Sequence, residues 1–333
     1  MRKINLFFGF LILFFLPAFF SCNTSKVSDT SLDEVHPLAL LNQDFSIYMY
    51  LPVQQHKELF NDIILAEIPS LSKSDAEKIS NQINNLYAGL GTVKDRSKLQ
   101  MACDGDFPSI AVKMVFKEKN GWSGKNYLAK SSQEALEKNY PNEFTIFSSS
   151  ETNYKISFCS EKLLSLASDI EPMLENYSIR PALPQTKYAK YLTENQGENS
   201  SSERENILFY ISRPGQYVKA LLGSSITMGL GEAYGYLEYL PNPKKADEYS
   251  GKYSLNIYLS LSKAAQMKAF LSGLKLAMGM MGGEVKQIDE KTVGLFNLEI
   301  TEKSIINLIT RDPITGKHFK VDGENIIKES KGK

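Results

Sequence analysis

The sequence contains three histidines, His36, His56 and His318, whose imidazole side chains could act as metal ligands or general bases. They lie far apart in the chain. No two of them have the short spacing of metal ligands on one helix or turn. No Gly-x-Ser-x-Gly sequence supplies a nucleophilic serine either. We therefore expect three ordinary surface histidines, and neither a metal centre nor a serine hydrolase.

Two other patterns fall short of known binding motifs. Gly229, Gly231 and Gly235 approach the dinucleotide-binding fingerprint but miss its third glycine by one position, and no P-loop sequence occurs. Asp104 and Asp106 flank a glycine as EF-hand ligands do, yet the remaining oxygen ligands are missing. Such a pair is typical of a turn. The sequence predicts no cofactor.

The N-terminal segment has the pattern of an export signal. Arg2 and Lys3 precede an uncharged apolar run of 15 residues, Leu6 to Phe20, which ends at Ser21 and Cys22. At about 1.5 Å per residue this run spans about 22 Å, which is short of the ~30 Å hydrocarbon core of a bilayer. A cleaved signal is therefore favoured over a permanent transmembrane helix.

The residues before Cys22 resemble the lipobox of bacterial lipoproteins, in which the cysteine is acylated and becomes the mature N-terminus. The sequence departs from that box at Phe19 and Phe20, where leucine and then a small residue are usual. The resemblance implies that Cys22 carries acyl chains such as palmitate. It also implies that the protein is anchored to a membrane of the bacterial cell envelope, in the periplasm or at the surface. The alternative is a plain secretory signal with an incidental cysteine.

Two further thiols, Cys103 and Cys159, are candidates for a disulfide because an exported chain folds in an oxidising compartment. Closing a loop of about 57 residues would stabilise the fold by roughly 4 kcal/mol. Against the bond, Cys103 alternates in step with Met101, whereas Cys159 alternates away from Phe158. Two separate buried thiols are the alternative.

Composition limits the classes of partner. The chain has 333 residues, of which 42% are hydrophobic, so that it can form one large or two ordinary domains. Without residues 1–21 it has 36 basic and 38 acidic side chains, which argues against a nucleic-acid partner.

Changes in composition divide the chain. Residues 23–34 contain only Val27 and Leu32 as large apolar residues, too few to offset the entropy of ordering. A second polar run, residues 197–205, suggests a boundary between two halves. The predicted organisation is a signal peptide at 1–21, a lipid-anchored flexible tether at 22–36, an α+β module at 37–196, a linker at 197–206, a second α+β module at 207–311 and a polar tail at 312–333.

Hydrophobic periodicity predicts the main elements of the first half. Residues 45–51 alternate between apolar and polar, as in a strand buried on one face. Apolar residues at helical spacing predict a helix over 59–68. A capping box at Ser74 predicts a second helix that continues through Ile83 and Leu86. Alternation over 110–116 predicts a strand of a hairpin.

These elements indicate an α+β fold of antiparallel or mixed sheets. Strands with one polar face predict helices on one side of the sheet. The alternation of Phe45–Leu51 matches that of Tyr253–Leu259, and Ile207 begins a similar segment. This weak repeat suggests two related α/β modules, although periodicity alone would produce part of the match.

Tyrosines on the polar strand faces are the first candidate for a binding surface. Tyr48, Tyr50, Tyr210 and Tyr258 alternate against the apolar positions of their strands. A phenol offers apolar area with a hydrogen-bonding tip, which suits protein partners or sugars. Ordinary strand propensity explains these residues equally well.

A Met- and Gly-rich helix is the second candidate. Met267, Met278, Met280 and Met281 occur among small residues in 262–283, a composition that can form an adaptable groove for an apolar ligand. The alternative is a closely packed core helix.

The sequence thus favours a membrane-anchored envelope lipoprotein that acts as a binding or interaction module, with an envelope protein or an apolar ligand as partner. A structural envelope component is the alternative of a second class. An enzyme is the less favoured third class, although a dispersed pair of carboxylates, as in glycosidases, leaves no local signature.

Overall fold

The computed structural model describes residues 35–67, 72–91, 99–130, 137–138, 140–149, 152–197, 204–212, 214–215, 229–241, 252–279 and 282–310. The predicted signal, Cys22, the tether up to residue 34 and the predicted polar tail lie outside these ranges. The last two tether residues belong to the folded part. Val35 is buried, and Nδ1 of His36 accepts a hydrogen bond from the backbone N–H of Leu38 at 3.2 Å.

The strands, in chain order, are β1 (Ile47–Pro52), β2 (Ile83–Leu90), β3 (Gln100–Gly105), β4 (Trp122–Leu128), β5 (Glu143–Ser149), β6 (Thr152–Phe158), β7 (Leu163–Ala167), β8 (Ile207–Ile211), β9 (Leu230–Tyr239), β10 (Tyr253–Leu261), β11 (Glu284–Gln287) and β12 (Thr292–Ile300).

The α-helices are α1 (Lys57–Glu67), α2 (Lys73–Ser80), α3 (Ser109–Val115), α4 (Glu171–Ile179), α5 (Lys187–Glu194), α6 (Met267–Met278) and α7 (Glu302–Thr310). Short 3₁₀ helices occur at Pro37–Leu40, Glu118–Asn120 and Ala264–Gln266.

Within the part of the chain that the structure describes, these strands form one open sheet of 12 strands in the order β11-β12-β10-β9-β8-β1-β2-β3-β7-β6-β5-β4. Every pairing is antiparallel. The α+β class with an antiparallel sheet is thereby confirmed. The two predicted modules share this sheet, because β1 of the first half pairs with β8 of the second half.

The central pair also relates the two halves topologically. From the centre outward, each half places its first three strands consecutively, as β1-β2-β3 and β8-β9-β10, and then adds a later strand, β7 or β12. The counterpart of β1 is thus β8, and not the β10 segment that matches it best in periodicity. The two halves therefore have a similar strand order from the centre outward.

The two faces of the sheet differ in chemistry. Successive residues of a strand point to opposite faces, and on β1 the tyrosines Tyr48 and Tyr50 belong to a different hydrophobic cluster from Met49 and Leu51. We call the side of Tyr48 and Tyr50 the tyrosine face and the other side the aliphatic face.

Helices cover both faces, where one covered face was expected. Leu59 of α1, Ile305 of α7 and Leu274 of α6 pack on the aliphatic face. On the tyrosine face, Leu174 of α4 and Leu192 of α5 are completely buried with the residues of Pro37–Leu40. Burying each such leucine contributes about 2 kcal/mol, which explains why the second layer forms.

Two predicted elements differ from the structure. The helix predicted from Ser74 through Leu86 ends at Ser80, and β2 begins at Ile83. The strand predicted over 110–116 is the helix α3, which follows Pro108. Short apolar segments fit the helical period and the strand period equally well. At Ile83, pairing of β2 with β1 and β3 favours the strand.

Candidate functional site

A row of tyrosines crosses the centre of the sheet on its tyrosine face. Tyr48 on β1 opposes Tyr210 on β8. Tyr210 opposes Tyr234 on β9, which in turn opposes Tyr258 on β10. Directly opposed side chains on neighbouring strands touch. We call these four residues the tyrosine row.

The neighbouring rings of Tyr210, Tyr234 and Tyr258 are nearly parallel. The ring centroids of Tyr210 and Tyr234 lie 6.3 Å apart with 14° between the planes, and those of Tyr234 and Tyr258 lie 5.2 Å apart with 15°. Phe296 ends the row, with its ring 5.5 Å from that of Tyr258 and inclined by 80°. Offset-parallel and perpendicular pairs are the favoured arrangements of aromatic rings. The rings therefore hold one another in place through these contacts.

Burial decreases along the row. Tyr48 is 1% exposed and Tyr210 is 6% exposed. Tyr234, Tyr258 and Phe296 are half-buried. Neither Tyr234 nor Tyr258 has a hydrogen-bond partner for its hydroxyl among the described residues. We call Tyr234 and Tyr258, together with the adjoining Phe296, the open end of the tyrosine row.

Helix α5 determines where the row is covered. The hydroxyl of Thr186 caps this helix by accepting a hydrogen bond from the backbone N–H of Ala189 at 3.4 Å. The helix then places Tyr188 over Tyr48 and the ring of Tyr191 5.1 Å from that of Tyr234. The first residue of the helix, Lys187, lies at the edge of the open end.

A polar row lies beside the aromatic one. Ser260 on β10 opposes Glu232 on β9 and Thr292 on β12. Glu232 and Ser260 lie two positions from Tyr234 and Tyr258 along their strands, so both rows share the tyrosine face at a separation of about 7 Å. The hydroxyl groups of Ser260 and Thr292 are 3.4 Å apart.

An open cavity of about 740 Å³ lies over this polar row. Its lining includes Glu232, Ser260 and Thr292 on the sheet, Lys187 on α5, and Asp289 and Lys291 in the turn between β11 and β12. This volume is typical of small-molecule sites. We call the cavity the polar cleft.

Lys187 and Glu232 form an ion pair in the polar cleft. Nζ of Lys187 donates to both carboxylate oxygens of Glu232, at 2.8 and 3.0 Å, and the hydroxyl of Tyr210 donates to Oε2 of Glu232. Burial acts to raise the pKa of Glu232, but these hydrogen bonds outweigh it and lower the pKa. Burial, reinforced by the Glu232 carboxylate, raises the pKa of Tyr210.

Asp289 serves the turn beside the cleft. Its Oδ1 accepts hydrogen bonds from the backbone N–H groups of Lys291 at 2.7 Å and of Thr292 at 2.8 Å. These bonds lower the pKa of Asp289. The carboxylate therefore fixes the turn that forms one wall of the cleft.

The structure separates the tyrosines that the sequence grouped together. Tyr258 is half-buried on the tyrosine face, at the open end of the row. Tyr48 and Tyr50 are 1% and 3% exposed, so the expectation of a solvent-facing surface at these two residues was wrong. The reason is that α4 and α5 cover this part of the tyrosine face. The hydroxyl of Tyr50 donates to Oε1 of Glu205 at 2.9 Å.

The Met-rich helix forms a core and no groove at Met278. That side chain is 1% exposed and packs with Phe270 and Leu274 against the aliphatic face. The closely packed core helix considered as the alternative describes this residue. Met281 lies outside the described residues. Leu276, on the outer side of the same helix, is 81% exposed.

The two thiols remain free and buried. Cys103 packs on the aliphatic face, whereas Cys159 belongs to the cluster of the tyrosine face. Strand β7 also separates them, because Leu164 lies between Cys103 and Phe158 in the sheet. The structure therefore has the two separate thiols that were the alternative to a disulfide.

His56 is buried, although a surface position was expected. Its Nδ1 lies 3.1 Å from the hydroxyl of Tyr253, and its Nε2 lies 2.7 Å from the backbone oxygen of Glu205. It therefore links the first half, the predicted linker and the second half. His36 caps the turn at Pro37–Leu40, and His318 lies outside the described residues.

Asp104 and Asp106 have protein partners. Nδ2 of Asn85 lies 3.1 Å from both carboxylate oxygens of Asp104, and Nζ of Lys162 lies 3.0 Å from Oδ1 of Asp106. Among the described residues, no group of three or more His, Cys, Asp or Glu side chains is arranged to hold a metal ion. None of the helices in those ranges has the length and apolarity needed to cross a membrane.

The cleft residues Lys187, Glu232 and Asp289 were not foreseen from the sequence. A local signal is the spacing of Glu232, Tyr234 and Tyr236, which occupy every second position of one strand. Their assembly depends on strand register and on the position of α5, neither of which a local pattern specifies.

Comparison with known proteins identifies a family. Residues 33–306 match the model of a family described as outer membrane-associated lipoprotein TP0453. Crystal form I of TP0453 is 18% identical and covers 83% of this chain and 97% of that chain, with a TM-score of 0.57. Crystal form III is 18% identical and covers 83% and 98%, with a TM-score of 0.58. None of the curated proteins matches this sequence significantly.

Proposed function

The chain belongs to the family of the outer membrane-associated lipoprotein TP0453, and from this premise we propose that it is a binding module that holds a partner or ligand without transforming it. It is a lipoprotein associated with the outer membrane in the bacterial envelope. The proposal concerns what the folded domain does there, and which residues do it.

We assign the lipid anchor to Cys22. Two or more acyl chains, each contributing about 0.8 kcal/mol per buried methylene, anchor a protein stably, whereas a single chain binds marginally. In a detergent phase separation, the protein should partition with the detergent and the Cys22→Ser variant with the aqueous phase. Equal partitioning of both forms would show that the anchor lies elsewhere.

The observation that carries the proposal is the open end of the tyrosine row beside the polar cleft. Half-buried aromatic rings supply apolar contact area at a low entropic cost, because neighbouring rings already hold them in place. The adjoining cleft supplies carboxylate, ammonium and hydroxyl groups that can orient a ligand. Sites that combine an apolar surface with a few convergent polar groups are typical of ligand binding.

The chemistry of the cleft favours binding over catalysis. A glycosidase-type mechanism needs one carboxyl group that stays protonated, with a raised pKa, to donate a proton. In the cleft, the pKa values of Glu232 and Asp289 are both lowered. Each carboxylate is already engaged in hydrogen bonds that fix the local structure. These groups are suited to accept hydrogen bonds from a ligand.

The test uses the unlipidated protein, made with Cys22→Ser, so that the anchor does not contribute to binding. This form is mixed with cell-envelope fragments and sedimented. We expect it to sediment with the fragments, and we expect the added changes Tyr234→Ser and Tyr258→Ser to weaken this binding at least about tenfold, since aromatic anchors dominate binding energy.

A matched control lies on the opposite side of the sheet. Leu276 is 81% exposed on α6, so Leu276→Ser removes an exposed apolar side chain away from the open end. This variant should bind like the parent protein. Equal binding by the parent, the double tyrosine variant and Leu276→Ser, with all three folded, would contradict the proposed surface.

A further inference from the structure

We infer that the polar cleft and the open end of the tyrosine row together bind a neutral, hydroxyl-rich glycan chain. This inference rests on the proposed binding function and specifies the chemical class of the ligand. It depends on four properties of the site: its hydrogen-bonding groups, its charge, its apolar border and its shape.

The first property is a high density of groups that both donate and accept hydrogen bonds. The hydroxyls of Ser260 and Thr292 line the cleft. Those of Tyr234 and Tyr258, which have no hydrogen-bond partner among the described residues, belong to the neighbouring row. Hydroxyl groups can act as donor and acceptor at once, so they match the hydroxyls of a sugar in any orientation.

The second property is the charge of the lining, which combines three carboxylates with two ammonium groups. Lys187 and Glu232 form an ion pair with a distance of 2.8 Å between Nζ and Oε1. Asp289 and Glu290 stand near Lys291 on the neighbouring wall. An anionic ligand such as a phosphate would meet three carboxylates against two ammonium groups, and like charges at an interface disfavour binding. A neutral ligand avoids this cost and can still hydrogen-bond to the paired charges.

The third property is the apolar border. Sugar rings carry C–H surface as well as hydroxyls, and the half-buried ring of Tyr258 lies two positions, or about 7 Å, from Ser260 along β10. The ring of Phe296 extends this apolar border beyond Tyr258. One side of a ligand can therefore contact aromatic carbon while the other side meets Glu232 and Ser260. An acyl chain would instead favour apolar walls all round, whereas the cleft has charged or hydroxyl side chains on the sheet, on α5 and on the turn.

The fourth property is shape. The cavity measures about 740 Å³ and is open to solvent. An open cleft allows a polymer to pass along it, whereas an enclosed pocket would take a small molecule end-on. A ligand in the site can therefore extend beyond it into solvent.

The experiment measures binding of soluble oligosaccharides to the folded, unlipidated Cys22→Ser protein by ligand-observed NMR and calorimetry. The probes are chitotetraose, cellotetraose and maltotetraose, and phosphatidylcholine vesicles form a separate arm. We expect at least one oligosaccharide to bind. We expect Glu232→Gln and Tyr234→Phe each to weaken that binding about tenfold, the effect of one lost hydrogen bond.

Two controls separate the site from general effects. Tyr234→Phe retains the ring and removes the hydroxyl, so that a weaker affinity with an unchanged unfolding midpoint reports the lost contact. Tyr127→Phe makes the same chemical change on β4, where the hydroxyl donates to Oε1 of Glu175 at 3.0 Å. It should leave binding unchanged.

The outcomes distinguish this inference from the proposed function. If no oligosaccharide binds, or if binding is unaffected by Glu232→Gln and Tyr234→Phe, the glycan inference is overturned. In that case, sedimentation with envelope fragments that still depends on Tyr258 would leave the binding function standing. Binding of the vesicles through the same residues, without any oligosaccharide binding, would also overturn the inference and would assign the site to lipid.

Discussion

The rings of Tyr48 and Tyr188 are parallel, with their centroids 3.6 Å apart. The contact joins β1, at the centre of the sheet, to α5, and it closes the buried end of the tyrosine row. From Tyr234 onward the same row is half-buried. The tyrosine row thus has a buried end at Tyr48, which stabilises the fold, and a half-buried end at Tyr258, which a ligand can contact.

The two ends should respond differently to truncation. Tyr48→Ala removes a ring that is 1% exposed, and we expect it to lower the free energy of unfolding by about 3–5 kcal/mol, as for other buried aromatic residues. Tyr258→Ala, at the open end, should cost about 1 kcal/mol. Urea unfolding measures both values. Equal losses would contradict the division of the row.

His56 should make stability dependent on pH. Burial, opposed by the hydrogen bond to the Glu205 backbone and assisted by Arg204, lowers the pKa of His56 to about 4. In the unfolded chain the ordinary value of 6.5 applies. As the pH falls from 6.5 to 4, the unfolded chain binds a proton that the folded protein excludes, so the free energy of unfolding falls by about 3 kcal/mol.

The measurement compares urea unfolding of the protein and of His56→Gln at pH 7, 5 and 4. Because both forms share all other titrating groups, the difference between their pH profiles isolates His56. The stability of the parent should fall more steeply with acidification. Parallel profiles would show that the imidazole does not titrate in this way.

The thiols of Cys103 and Cys159 should be unreactive in the folded protein. Burial raises the pKa of each to about 12, which reduces the thiolate fraction near pH 8 about a thousandfold. In the Cys22→Ser form, iodoacetamide should label both thiols after unfolding in urea without reductant, and label them slowly before. Failure to label the unfolded, unreduced chain would reveal a disulfide.

Two glycines offer a matched test of the sheet and of a helix. A Cβ atom at Gly235 on β9 would clash with the backbone oxygen of Asn256 on β10, whereas a Cβ atom at Gly273 on α6 would meet nothing within 4 Å. We expect Gly235→Ala to destabilise by about 1–3 kcal/mol. Gly273→Ala should stabilise by about 0.5–1 kcal/mol, because alanine favours the helix. The unfolding midpoints of the two variants measure these changes in stability. If Gly235→Ala were the more stable variant, the packing of β9 on β10 would be contradicted.

The sequence predicted β1 well and its environment poorly. Alternation over 45–51 identifies the strand, since a period of two is a property of the residues themselves. Tyrosine at alternate positions fits either a wet surface or a second core, and only the packing of α4 and α5 distinguishes the two. The same limit applies to Ile83, where helical spacing continued by chance into a strand.

The candidate site could be predicted only in part. Tyr258 was recognised from its position in a strand, because its own neighbours define that strand. Its contact with Tyr234 and the proximity of Glu232 and Lys187 arise from strand register and from the packing of a distant helix. Such relationships are set by the whole fold, so no local pattern reveals them.

The most direct test of the account is photocrosslinking in living cells. A benzophenone amino acid replaces Tyr258 in the full-length lipoprotein, and in a separate variant it replaces Leu276. We predict that irradiation gives a crosslinked product of higher mass from position 258 and none from position 276. The absence of any product at position 258, or the same products from both positions, would contradict the claim that this protein binds its partner through the open end of the tyrosine row.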